Sequence, residues 1–170
     1  MTARRGNILG FLACAALLGY AYYAQFVMHL EPCPLCIFQR VGVFVLGVVF
    51  LIAALHDPVA AGRRVYAALI GLAALATVAV AMRHLYIQSL PPDAVPSCGA
   101  SLDLLIKFAS SLAEVMKVLV NVLKGSGECA QINWRFLGLA MPAWVLISAA
   151  VLGGWGLWSN LRRQPPVLRF

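Results

Sequence analysis

Four runs of this chain, roughly 8–28, 37–55, 65–87 and 137–158, stay apolar over the ~20 residues that a helix needs to cross a bilayer. They constrain the fold more than anything else in the sequence. Composition agrees: the 170 residues are 62% hydrophobic and only 11% charged, with a mean hydropathy of +0.87. A soluble domain of this size could not hide so much apolar surface. The expectation is an all-α fold, a membrane four-helix bundle forming a single integral domain over 1–170, with no room for a separate soluble domain. The first run, behind Arg4 and Arg5, looks like a secretory signal. Its apolar stretch exceeds the usual ~7–15-residue signal core, so it reads as an uncleaved anchor. Small residues such as Gly42, Gly47, Gly71, Ala73, Ala74 and Ala76 would let helix backbones approach closely.

The net charge of +7 matters less than its distribution. The N-terminus, the connection at 57–64 and the C-terminal tail carry Arg4, Arg5, Arg63, Arg64, Arg162, Arg163 and Arg169 against Asp57 alone. The other side carries Lys107, Lys117, Lys124 and Arg135 against Glu31, Asp93, Asp103, Glu114 and Glu128. Basic residues flanking spans mark the cytoplasmic side, so both termini are expected there and the loop at 88–136 outside. This pattern sets orientation and does not call for nucleic acid.

Within that loop, 101–124 is apolar enough to imitate a fifth span. Its polar residues Asp103, Lys107, Ser110, Glu114, Lys117, Asn121 and Lys124 recur every three or four positions and draw one stripe along a helix. A true span would place Glu114 and Lys117 near the bilayer centre, at about 2.5–3.5 kcal/mol each. It would also send Cys129 to the side opposite Cys98. The expectation is therefore an interfacial amphipathic helix, lying flat with its apolar side in the acyl boundary. Pro91, Pro92 and Pro96 before Cys98, and Gly125 and Gly127 before Cys129, keep the backbone around both cysteines pliable.

Cys33-Pro34-Leu35-Cys36 stands at the mouth of the second run, with Arg40 four residues on. A C-x-x-C pair is a redox dithiol or half a metal site. Pro34 fits a first helical turn, which puts Cys36 near the positive end of the helix dipole, where a thiolate is stabilised. Arg40 lies one turn deeper on the same face, and an intramembrane Arg marks function unless it snorkels to the interface. Cys98 and Cys129 form a second pair, suggesting electrons passed between pairs. A zinc site of Cys33, Cys36, Cys98 and Cys129 is the chemical alternative. The 30 residues between Cys98 and Cys129 and the outward, oxidising location favour disulfides over that alternative.

The stretch Cys33-Pro34-Leu35-Cys36-Ile37-Phe38-Gln39-Arg40 resembles the signature of the DsbB family, bacterial inner-membrane disulfide oxidoreductases. So do Gly127-Glu128-Cys129-Ala130 and the segment from Trp134 to Trp144. The resemblance implies a protein-disulfide:quinone oxidoreductase that reoxidises DsbA, a periplasmic thioredoxin-fold protein, with both cysteine pairs periplasmic. It implies that Cys98, the disulfide partner of Cys129, forms the mixed disulfide with DsbA. Cys33 and Cys36 would be the quinone-proximal pair, with Cys36 the thiolate that contacts and adds to the ring. Arg40 would lie against a quinone carbonyl, and His84 resembles a family histidine near the quinone. The quinone would be ubiquinone, with menaquinone under anaerobic conditions. Coupling to a quinone matters because DsbA, at roughly −120 mV, is too oxidising for ordinary disulfides below about −300 mV to regenerate. Gln39 stands where some relatives carry Glu, and Cys14, alone in the first run, reads as buried packing. Alternatives are a quinone-linked thiol enzyme with another partner, including a vitamin-K-epoxide-reductase-like arrangement, and a non-catalytic scaffold stapled by disulfides. A transporter lacks support, since the four spans hold no acid and no polar path.

Overall fold

A computed structural model describes residues 2–91, 127–132 and 134–162. Cys98 and the surface helix expected at 101–124 lie outside the described residues. Four helices dominate the described residues: α1 (Ala3–Phe26), α2 (Pro34–His56), α3 (Ala60–Gln88) and, further along the chain, α5 (Met141–Leu161). At 1.5 Å per residue they run about 32–44 Å, enough to cross a hydrocarbon core of about 30 Å. Among the described residues these four are long and apolar enough to do so, and the chain is a multi-pass membrane protein. Among the described residues, a single turn, α4 (Gly127–Ala130), and a hairpin of β1 (Arg135–Phe136) and β2 (Leu139–Ala140) come between α3 and α5.

Local chemistry sets most helix ends. The Thr2 hydroxyl accepts the Arg5 N–H at 3.4 Å and starts α1. Cys33 occupies the N-cap of α2 with extended backbone, and Pro34 follows in the first turn. Asp57, in the left-handed region at φ 40°, ends α2, and Pro58 prevents its continuation.

The helices pack in a ring: α1 on α2, α2 on α3, α3 on α5, and α5 back on α1. Phe50 sits at the centre, fully buried, among Cys14, Leu46, Ile70, Ala74 and Leu152. In lipid no hydrophobic force draws apolar helices together, so close packing has to do so. Two glycines show how close that is. A Cβ on Gly10 would lie 2.7 Å from the Phe50 ring, and one on Gly153 would lie 2.7 Å from the Ala74 Cβ. Leu12, Phe44, Leu55, Leu72, Leu75 and Val151 point outward, exposed, as lipid-facing side chains do. Cys14 is buried in the core, as expected of a packing residue.

One end of the ring is closed by polar groups. Asn7 and Asn160, both buried, exchange amide hydrogen bonds at 3.2 and 2.8 Å. Asn160 also donates to the Gly156 carbonyl, and the Trp155 indole N–H donates to the Gly6 carbonyl. Interhelical bonds of this kind contribute about 0.6 kcal/mol on average and up to about 1.7.

The helix boundaries depart from the apolar runs. α1 begins at Ala3 and α3 at Ala60, because a polar first turn remains helical without being apolar. The fourth helix starts at Met141, four residues after the run predicts. Leu137, Leu139 and Ala140 are apolar yet belong to the hairpin, whose turn residues Leu137 (φ 51°) and Gly138 (φ 80°) both have positive φ. Hydropathy cannot distinguish such a primed turn from the start of a span.

Candidate functional site

At the end of the bundle opposite the asparagine pair, the N-terminus of α2 meets the C-terminus of α3, and both cysteines of the C-x-x-C motif lie there. As N-cap, Cys33 accepts the Cys36 backbone N–H on its sulfur at 3.4 Å. The two sulfurs stand 3.1 Å apart, within thiol hydrogen-bond distance. Leu35 is fully buried with Ile87 and Cys129, and Cys33 packs against them. That small apolar cluster seats the α4 turn on α2 and α3. It brings Cys129 to the motif, with its sulfur within 4.8 Å of the Cys33 sulfur.

His84, buried on the last turns of α3, ties these pieces together. Its Nε2 lies 3.1 Å from the Cys129 carbonyl oxygen and 3.7 Å from the Cys33 sulfur. Its Nδ1 lies 2.9 Å from the Gln39 amide nitrogen. A carbonyl can only accept, so Nε2 carries the proton, and the Nδ1 of the neutral ring accepts from Gln39. The Cys129 carbonyl therefore selects the tautomer, and Gln39, itself buried, meets the other ring nitrogen. The donor atoms of Cys33, His84 and Cys129 all fall within 4.8 Å of one another.

Arg40 is held by α1. Its guanidinium donates to the Gln25 side-chain oxygen and, at 3.1 Å, to the Ala21 carbonyl, and it lies 5.5 Å over the Tyr22 ring. These contacts orient the charge at a fixed place beside Cys36, which a snorkelling side chain would not have.

Two cavities meet at Cys36 and Arg40. The smaller, about 70 Å³, is lined by Cys33, His84 and Glu128. The larger, about 350 Å³, opens between α1, α2 and α5 and is walled by Leu17, Leu18, Val43, Trp144 and Val145. Cys36, Arg40, Trp134 and Met141 line both. The hairpin closes the larger cavity with an aromatic row: Tyr20 against Trp134, Trp134 stacked on Phe136, and Phe136 against Trp144 at 5.8–6.1 Å. The Trp144 indole N–H donates to the Phe136 carbonyl and pins this row to α5.

The arrangement can pass electrons between sulfurs and present one of them to an apolar compartment. Its large cavity offers a thiol and a guanidinium beside walls that are otherwise mostly apolar and aromatic, with Gln39 and Ser148 among them. That chemistry fits a flat, polar-edged head group with a lipid-like tail. Of the residues singled out in the sequence, Cys33, Cys36, Arg40, His84 and Cys129 come together here, while Cys98 lies outside the described residues. Sequence reasoning missed Gln25 as the partner of Arg40 and Gln39 as the partner of His84. No local signal could have found either pair, since each joins residues on two different helices.

Over residues 3–159 the chain matches the family model described as Disulfide bond formation protein DsbB. It is 46% identical over 164 residues to the Disulfide bond formation protein B of Chromobacterium violaceum, covering 96% of each chain. Against the protein of that name from Marinobacter nauticus it is 47% identical over 166 residues, covering 98% of this chain and 96% of the relative. The Acinetobacter baylyi protein is 46% identical, with 95% and 94% covered.

Proposed function

The chain belongs to the DsbB family of disulfide bond formation proteins and is a disulfide-forming membrane oxidoreductase, and on that premise we propose that it reoxidises a periplasmic DsbA-like protein and delivers the electrons to a membrane quinone. The termini are cytoplasmic and both cysteine pairs periplasmic. One observation carries this reading: Cys33 is close to two other sulfurs, Cys36 at 3.1 Å, which lines the large cavity, and Cys129 within 4.8 Å.

The steps are thiol–disulfide exchanges. A DsbA thiolate attacks Cys98 of the Cys98–Cys129 disulfide, forms the mixed disulfide and releases Cys129 as thiolate. The Cys129 sulfur then bonds to Cys33, the Cys33–Cys36 bond breaks, and the electron pair leaves on Cys36. The second DsbA thiol attacks the mixed disulfide and leaves oxidised DsbA with a Cys98 thiolate. Cys98 then reclaims Cys129 from Cys33, so the outer disulfide is restored and Cys33 and Cys36 hold the two electrons. Arg40 favours the Cys36 thiolate by charge and, with Cys36 and Trp134, would hold a quinone head. A bound quinone, ubiquinone or menaquinone, supplies the two-electron, two-proton acceptor that returns Cys33 and Cys36 to the disulfide.

The test is to mix purified protein with reduced DsbA and ubiquinone and follow quinone absorbance. Quinone loss in step with DsbA oxidation is expected. No quinone loss, with the cysteines resistant to reduction, would replace this reading with the disulfide-stapled scaffold.

A further inference from the structure

Cys36 and Arg40 line both cavities, whereas His84 lines the smaller one and meets Cys33 and the Cys129 carbonyl. The chain of contacts runs from the Gln39 amide to His84 Nδ1, and from His84 Nε2–H to the carbonyl of Cys129. The bond ends on the backbone of the very residue whose sulfur must reach Cys33. The turn that carries Cys129 is four residues long and also packs on the small cluster around Leu35 and Ile87. A buried carbonyl there needs a donor, because leaving it unpaired costs more than the bond itself contributes. Docking of this turn therefore depends on a donor at the position of His84 Nε2.

We propose that His84, met on its Nδ1 by Gln39, is a positioning residue that latches the Cys129 turn onto the start of α2 and so sets the exchange between Cys129 and Cys33. This inference rests on the reading above that electrons cross from the outer pair to the inner pair through those two sulfurs. In the exchange, deprotonated Cys129 forms a bond to Cys33 Sγ, the Cys33–Cys36 bond breaks, and Cys36 leaves as thiolate. The three sulfurs gain and lose no net electrons, and the single proton from Cys129 goes to water. The role assigned to the ring is to donate a hydrogen bond. It does not require the ring to take up a proton, and a neutral amide at the same place should replace it.

That difference makes the test. In full-length protein carrying Cys98→Ser, equilibrated in a glutathione redox buffer without quinone, Cys129 and Cys36 compete for Cys33. Acid quench, alkylation and mass spectrometry give the ratio of Cys33–Cys129 to Cys33–Cys36 disulfide. His84→Ala should lower this ratio about fivefold, the effect of one hydrogen bond. His84→Gln, whose Nε2 amide can donate where the imidazole Nε2 did, should restore it to within twofold. Gln39→Leu, which removes the partner of Nδ1 and leaves the ring less firmly held, should fall between the two. The latch is overturned by an unchanged ratio in His84→Ala, by His84→Gln as low as His84→Ala, or by a parent that forms no Cys33–Cys129 disulfide. Failure of the quinone reading shows up separately, as absence of DsbA-driven quinone loss in the unsubstituted protein, because the disulfide ratio is read without quinone.

Discussion

Arg40 illustrates how a single side chain is given its task by neighbours far away in sequence. An intramembrane guanidinium is costly, and here its cost is offset by Gln25, the Ala21 carbonyl and the Tyr22 ring, all from α1. Those partners leave the charge beside Cys36 and the large cavity. Arg40→Ala should lower quinone consumption by about tenfold or more, the scale of losing one preorganised donor to a developing anion. Exchange between DsbA and Cys98, followed by trapping the mixed disulfide, should suffer far less. Arg40→Lys should recover only part of the loss, since a lysine cannot reach two acceptors with a planar fork. Equal damage to both half-reactions would remove Arg40 from the quinone side. Gln39 is the matching case on the other face of α2. A glutamine can donate to a neutral imidazole, where a glutamate would only accept, so Gln39 is compatible with His84 Nε2 as the donor to Cys129.

Among the elements, the helices are placed by what they lack. Gly153 on α5 faces Ala74 on α3 closely enough that a Cβ would lie 2.7 Å away, whereas its neighbour Gly154 meets nothing within 4 Å. Gly153→Val should therefore destabilise the bundle by about 1–3 kcal/mol through overpacking, while Gly154→Val should be close to neutral. Thermal unfolding in detergent separates them, and equal midpoints for the two variants would refute the packing argument. The hairpin works differently. Its positive-φ turn reverses the chain just before α5, laying Trp134 and Phe136 over the cavity mouth. Without that reversal, the apolar residues at 137–140 would extend the helix and leave the cavity unroofed.

Taken together, the helices put the cysteine motif, the end of α3 and the start of α5 at one end of the bundle, and the asparagine pair at the other. The proposed orientation makes a direct claim about these two ends. In a background with every cysteine replaced by serine, Glu31→Cys should react with a membrane-impermeant maleimide on intact spheroplasts. Asp57→Cys should react only after permeabilisation, and the opposite pattern would invert the topology. Much of this was legible without coordinates. The four spans, the C-x-x-C at a helix start, Arg40 one turn deeper and the buried Cys14 follow from apolar length, turn chemistry and the 3.6-residue period. Such signals are local: they depend on residues within a turn or a span of one another. What they could not supply is any relation between distant segments. The pairing of Gln39 with His84, the grip of Gln25 on Arg40, the seat of Cys129 beside Cys33 and the cavity between α1, α2 and α5 all join positions at least 15 residues apart. Those relations exist only once the helices pack, because a hydrogen bond or a void between two segments depends on where both backbones lie, and no stretch of sequence carries that information alone.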